Sequence, residues 1–397
     1  MICADDLPAG GRARREARVL AKAGHLVTVY GVLTDGAEPE EDEGGFVLVR
    51  VAADRWRRPR GGLGGVLAAS RYFSRSRPIV ELALTRDPPE SLHVFGVDAA
   101  EPVLEASREH GLPMVLDDAG GAAMSSGDDA HADGAGLGDA LRRLRSRGAA
   151  IEKKVRKHAF AAISTSDSLA DDEQARFGGR RPVVLRDCPP LRRLRPSDAL
   201  RVKLGIHPAD RVVVFHGPPD RAHGVESAIR ALRVLGERVV LVVIGAAWCQ
   251  DRLLAVAAEA GVLAQVRVTS TIGTDETLRL LASAEVAVLP LSNAHRATRL
   301  GLPAALLDEL MAGVPVIVPD VPEAGGLVRR FGAGIVIPAA AEVRPDDIAA
   351  AIGTILSDAG LRASCAAAAR KATYGELNWE KESARLVDLY DEISSTL

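Results

Sequence analysis

The sequence predicts an α/β protein made of two successive parallel sheets, each covered by helices on both faces. Three observations carry that expectation. Short apolar runs alternate with amphipathic segments along most of the chain, the pattern of strands joined by helical crossovers. The alternation occurs twice, on either side of "DCPPLRRLRPSDALRVKLG", whose prolines and charges read as a linker. With 397 residues, 47% hydrophobic and 26% charged, the chain is long enough for two or three domains with cores of their own.

Taken in order, the chain opens with "MICADD", almost no strand where a full one is expected before the Gly10-Gly11 turn, so a start a few residues upstream is expected. "GGRARREARVLAKAG" then reads as a helix with Ala17, Leu20 and Ala21 on its apolar side and Gly24 as its C-cap. "HLVTVYGV", "SLHVFG", "LPMVLDD" and "FAAISTS" supply strands. The stretch 118–138 lacks an apolar period, is rich in Gly, Ala and Asp, and reads as a mobile loop directly after a strand. Beyond the linker, "RVVVFHG", "ERVVLVVIG", "QVRVTSTI", "EVAVLPL", "VPVIVPD" and "GAGIVIP" are the second set of strands. The closing "NWEKESARLVDLYDEISS" places Leu386, Val387, Leu389 and Tyr390 at helical spacing. The expected domains are 1–190, 200–375 and a C-terminal helix, 376–397, that crosses back to the first domain.

Composition excludes several function classes. A net charge of −3 gives no field that gathers nucleic acid, and 4% aromatic residues are too few for base-stacking platforms. Cys3, Cys188, Cys249 and Cys365 lie far apart with no Cys-x-x-Cys pair, so neither a zinc site nor a disulfide framework is signalled. No apolar run reaches the ~18 residues that span a bilayer, and no basic-then-apolar leader is visible. The expected location is the cytoplasm.

Two parallel-sheet domains facing each other would bring the C-terminal ends of both sheets and several helix N-termini into one interdomain cleft. Helix N-termini offer unpaired N–H groups and partial positive charge, so a diphosphate can bind there without a metal. A nicotinamide enzyme is the rival, but no Gly-x-Gly-x-x-Gly joins a strand to a helix; Gly245 follows "LVVI", with Ala246 and Ala247 next.

"GGRARREARVLAKAGHLVTV", "VVVFHGPPDRAHGVESAIRAL", "EVAVLPL", "LPAALLDELMAGVPVIVPD", "GAGIVIP" and "NWEKESARLVDLY" resemble, in matching order over nearly the whole chain, the family-4 glycosyltransferases of the GT-B fold. The resemblance implies two Rossmann-like domains around a cleft and transfer of a sugar from a nucleotide donor to an acceptor with retention at the anomeric carbon. It implies no metal and no cofactor beyond the donor substrate. The C-terminal domain would hold the nucleotide and the N-terminal domain the acceptor.

The family's donor residues fall here on altered chemistry. A cation before the glycine of "HGVESAIRAL" is replaced by His223, and one directly after the strand by Pro218. The pattern Leu-Pro-x-Lys-x-x-Glu becomes Ala305 and Asp308, the acid eight residues earlier becomes Leu300, and a His-Glu pair after "LPMVLD" becomes Ala119 and Gly120. Breaking the sugar–phosphate bond puts negative charge on the leaving diphosphate, so fixed cations aimed at it stabilise the transition state. Arg221, His295, Arg296 and Arg299 are the nearby candidates to replace those lost. The implied donor site is Gly217, Arg221, His223, Gly245, Arg299, Ala305, Leu307 and Asp308, with Gly10 and Gly11 in the N-terminal loop.

Each candidate has an ordinary alternative. His223 reads equally as a surface residue, Asp308 as a solvated helix-face acid, and Gly10-Gly11 as a simple tight turn. His93, in "SLHVFG", and Asp117 and Asp118, after "LPMVL", are the candidate catalytic or acceptor-binding groups. A lone histidine is more often structural, and strand-end aspartates often only cap turns. The basic stretches 54–62, with Trp56, and 141–160 read first as solvated faces, with anionic lipid at the inner membrane surface as the alternative partner. Two functions stay open: a transferase with an atypical donor site, or a catalytically silent homologue that stabilises an active transferase chain.

Overall fold

A computed structural model of the chain describes all residues except 5–6, 8–10, 35, 53–72, 75, 119–136 and 271–272, and for 137–145 the backbone alone. Gly10, Trp56, Ala119 and Gly120 therefore lie outside the described residues, as does most of the expected 118–138 loop. The chain divides into two units: Met1–Leu185 with Ser383–Leu397, and Arg186–Glu382.

In the first unit, β1 (Ile2–Cys3), β2 (Thr28–Leu33), β3 (Glu40–Asp42), β4 (Val47–Ala52), β5 (Leu92–Phe95), β6 (Met114–Asp117), β7 (Ala161–Ser164) and β8 (Val183–Val184) form one sheet ordered β3-β4-β2-β1-β5-β6-β7-β8. All neighbours are parallel except β3, which pairs antiparallel with β4. The short β1 sits in mid-sheet between β2 and β5. The antiparallel β3 has no apolar alternation in "EED", so the sequence carried no strand signal there.

In the second unit, β9 (Arg211–His216), β10 (Val239–Ile244), β11 (Val266–Thr269), β12 (Val286–Val288), β13 (Val316–Pro319) and β14 (Gly334–Ile337) are all parallel in the order β11-β10-β9-β12-β13-β14. Side chains alternate between two cores. Val212, Val214, Val240, Val242 and Ile244 face one, and Val213, Phe215, Val239, Leu241 and Val243 face the other. Burial on both faces is why these strands are uninterrupted β-branched runs.

Both sheets reverse direction once. The chain lays down β9, β10 and β11 outward and then returns to place β12 on the other side of β9. In the first unit the same reversal falls between β1 and β5. Crevices beyond the carboxyl ends of strands at such reversals are where open α/β sheets bind ligands. The closing segment is not one helix: Trp379–Glu382 belongs to the second unit, with the Trp379 N–H bonded to the Pro189 carbonyl at 3.0 Å, while Ala384–Ser394 packs in the first. Its buried face is Leu386, Leu389, Tyr390 and Ile393, with Val387 half-buried. Among the described residues no helix is long and apolar enough to cross a membrane.

Candidate functional site

In the second unit, the reversal between β9 and β12 brings together Gly217, Ala305 and Asp308 of the residues that sequence reasoning marked. The helix Ala304–Met311 buries Ala305, Leu306, Leu307, Glu309, Leu310 and Met311 and leaves Ala304 and Asp308, four apart on one face, half-buried. Leu307 is thus a core residue. Asp308 Oδ2 lies 3.9 Å from Nε2 of His216, the last residue of β9, and a β-carbon at Gly217 would sit 3.8 Å from Ala305 Cβ. Pro303 at the N-cap provides no capping side chain, and the Leu306 N–H is bonded to the Pro303 carbonyl at 3.1 Å, so the donors this helix start can offer water or an anion are the N–H groups of Ala304 and Ala305.

The loop from Gly217 to Gly224 borders the same corner. Gly224 adopts φ +67°, and a β-carbon there would lie 2.3 Å from the Pro290 carbonyl oxygen, so this position admits glycine alone. The Ser292 N–H donates to the Ala222 carbonyl at 2.8 Å, and Arg252 donates to the Pro219 carbonyl, tying the loop to the chain after β12 and to the helix Gln250–Glu259. Within the loop, Asp220 Oδ1 accepts from the His223 backbone N–H at 3.0 Å and lies 2.7 Å from His223 Nδ1. Burial pushes the Asp220 carboxyl up, but the His223 contacts outweigh it and hold it below its ordinary value. A carboxylate therefore already occupies the donors at His223. Arg221 and Arg299 are exposed and make no ion pair among the described residues; Arg296 is buried. Gly245 directly follows β10 with φ +88° and is exposed.

Two acids here escaped sequence reasoning. Asp220 lies in the loop, and Glu309 is fully buried with neither carboxyl oxygen hydrogen-bonded. Burial, and secondarily Asp308, pushes the Glu309 carboxyl well above its ordinary value, so it is kept neutral. A group whose folded pKa exceeds its unfolded one costs stability as pH rises from the unfolded value toward the folded one. Glu309→Leu is expected to stabilise the protein by about 1–3 kcal/mol, the cost of an unsatisfied buried polar group. The gain should be larger at pH 8 than at pH 5 by urea unfolding, and a pH-independent difference would count against a neutral carboxyl.

In the first unit, the candidate catalytic groups turn inward. His93 is the second residue of β5 rather than its end and is 1% exposed; Asp117 ends β6 at 1%, and Asp118 follows it, also buried. Asp117 Oδ2 accepts from Arg12 Nε at 2.9 Å, and the same nitrogen lies 2.8 Å from Glu16 Oε1. Burial raises the Asp117 carboxyl, but Arg12, a hydrogen bond with Glu16 and His93 together hold it below its ordinary value. Glu16, pushed well up by burial and then by Asp117, carries the shared proton. Tyr390 Oη stands 2.9 Å from His93 Nδ1, and His93 Nε2 lies 3.5 Å from Glu16 Oε2 without a hydrogen bond. Burial lowers the His93 pKa to about 3, so the imidazole is neutral. Asp118 is pushed up by burial although Arg156, 3.0 Å away and shared with Glu152 and Glu173, opposes this.

One atom each from Glu16, His93 and Asp117 lies within 4.8 Å of the others, the one metal-like grouping among the described residues. Within it His93 Nε2 lies 3.5 Å from Glu16 Oε2 and 4.0 Å from Asp117 Oδ2. Arg12 already supplies the compensating charge. This cluster reads as an internal brace that joins the helix Arg12–Lys22, two central strands and the closing helix. Gly11 is the extended N-cap of that first helix, at φ −65° and ψ 156°.

Residues 9–188 match the family model described as a glycosyl transferase 4-like domain, and residues 196–372 match that of glycosyl transferases group 1. Among curated proteins, the chain is 28% identical over 193 residues to an uncharacterised glycosyltransferase of Methanocaldococcus jannaschii, covering 48% of this chain and 47% of that protein. It is also 28% identical over 204 residues to a D-inositol 3-phosphate glycosyltransferase of Xylanimonas cellulosilytica, covering 49% and 46%. The matches thus span about half the length of these relatives. Among solved structures, sucrose-phosphate synthase from Thermosynechococcus elongatus superposes with TM-score 0.80 at 16% identity over 100% of this chain and 99% of that one. Anabaena HepE in complex with UDP and glucose superposes with TM-score 0.70 at 15% identity over 98% of each. Likeness at these identities shows the fold.

Proposed function

We propose that this chain, which belongs to the family-4-like glycosyltransferases of the GT-B fold, transfers a sugar from a nucleotide-diphosphate donor held by its second unit to an acceptor handled by its first. The transfer proceeds with retention at the anomeric carbon and without a metal or other cofactor. In that reaction the bond between the anomeric carbon and the diphosphate oxygen breaks, the acceptor oxygen bonds to the carbon, and the electron pair leaves on the diphosphate. The site must therefore stabilise a growing negative charge.

The observation that carries this reading is the corner at the β9/β12 reversal, where His216, Gly217, Ala305 and Asp308 adjoin the uncapped start of a helix. Small residues at 304 and 305 let an anion approach the open N–H groups, and the helix dipole favours it there. That offers a physical substitute for the lysine absent at Ala305. Arg221 and Arg299, both exposed, are the cations that complete it. Asp308 is the acid for the ribose hydroxyls.

A second reading has its own observation. Asp220 binds the N–H groups at His223 that an anion would use, which favours a catalytically silent homologue that stabilises an active transferase chain. Calorimetry with UDP, GDP, ADP and their sugars separates the two. One diphosphate is expected to bind at sub-millimolar concentration, with its sugar turned over to free nucleotide when an acceptor is supplied. Binding without turnover across an acceptor panel supports the silent reading, and no binding at millimolar ligand overturns the donor site.

A further inference from the structure

We infer that His216 is a binding residue for the ribose of the donor nucleotide, its Nε2 and the Asp308 carboxylate gripping one hydroxyl between them; this rests on the donor-site reading above. His216 terminates β9 at the strand-order reversal, the place in such a sheet where a ligand is held. Its ring has no hydrogen-bond partner among the described residues, and Nδ1 is buried. The imidazole and the Asp308 carboxylate are each about one-fifth exposed, 18% and 19%.

Their separation, 3.9 Å from Nε2 to Oδ2, is too long for a direct hydrogen bond. It does suit a single oxygen placed about 2.8 Å from both, which would see them at an angle of roughly 90°. A hydroxyl satisfies the two groups at once: it donates to the carboxylate and accepts from Nε2–H. Burial lowers the His216 pKa to about 4, so the ring is neutral and one nitrogen carries a hydrogen.

A neutral donor beside an acid selects a sugar hydroxyl and not a phosphate oxygen, which the Asp308 charge repels. Asp308 is also one methylene shorter than the glutamate that the family resemblance leads one to expect. With a shorter arm, a second group on the facing strand end restores the grip on the hydroxyl.

The test compares the affinities of UDP, GDP and ADP with those of their 2′-deoxy and 3′-deoxy forms. The proteins are the unmodified chain, His216→Phe, His216→Gln and Asp308→Asn, each checked for folding by its thermal melt. The unmodified protein should prefer one ribonucleotide over a deoxy form by about 10-fold, the worth of one good hydrogen bond. His216→Phe should weaken the ribonucleotide by a similar factor, leave the deoxy form unchanged and so abolish the preference, while His216→Gln, which keeps a donor, restores part of it. Preference retained in a folded His216→Phe overturns the assignment while the donor site stands. Absence of diphosphate binding in every protein overturns both.

Discussion

Arg12→Ala is expected to destabilise the first unit by about 3–5 kcal/mol, because it strips the partner from a buried carboxylate without removing the charge. Asp117 has no exposed side-chain surface, and Arg12 is hydrogen-bonded to it at 2.9 Å and to the Leu185 carbonyl at 3.1 Å, with Glu16 Oε1 2.8 Å from its Nε. Loss of the guanidinium leaves Asp117 with the shared Glu16 proton and a neutral His93. The sign of the pH dependence follows. A carboxyl held below its unfolded value contributes stability above that value and loses it as pH falls through the folded one. The difference between unmodified protein and variant should therefore shrink below about pH 4. Adding Asp117→Asn to Arg12→Ala should recover much of the loss at neutral pH. Denaturant unfolding at pH 3 and pH 7 measures both effects, and a loss under 1 kcal/mol at pH 7 would show that the brace is not load-sharing in this way.

The sheets were legible because their strands are continuous β-branched runs buried on two faces, a pattern needing no partner information. "RVVVFHG" and "ERVVLVVIG" could hardly be anything else, and they are β9 and β10. β3 was not legible, since three acidic residues pair with β4 only because β4 presents an edge. In the candidate site, the spacing to Gly313 and Pro315 singled out Asp308, which lies 3.9 Å from His216 at the end of β9. It missed His216, although a histidine directly before a glycine at the end of a buried strand was the available signal. It could not show that His93 and Asp117 face Arg12 and Glu16, because that meeting depends on strands distant in sequence. Charges on the inner side of a helix, as in "RARREA", are the trace such a brace leaves in a sequence.

Arg221→Ala and Arg299→Ala are each expected to weaken nucleotide-diphosphate binding by more than ~1 kcal/mol, the scale of one charge-assisted hydrogen bond. Together they should lower turnover by at least ~10²-fold, because on the proposed mechanism each supplies a cation to the leaving group as its charge develops. Both arginines are exposed, so their removal leaves no buried charge behind and the fold is not the readout. Asp220 works against them: its carboxylate holds the His223 N–H and ring, and Asp220→Asn should strengthen diphosphate binding while weakening its grip on the imidazole. The same contact limits what His223→Arg can restore, since a guanidinium there meets Asp220 first. Ala305→Lys is the other restoration, at the start of the helix to which the proposed donor site assigns the anion. In a silent homologue the arginine variants change nothing. The combination Asp220→Asn, Ala305→Lys and Asp308→Glu would then create diphosphate binding where the parent has none. Calorimetry on these proteins decides between the two, and turnover that survives loss of both arginines would remove them from the mechanism.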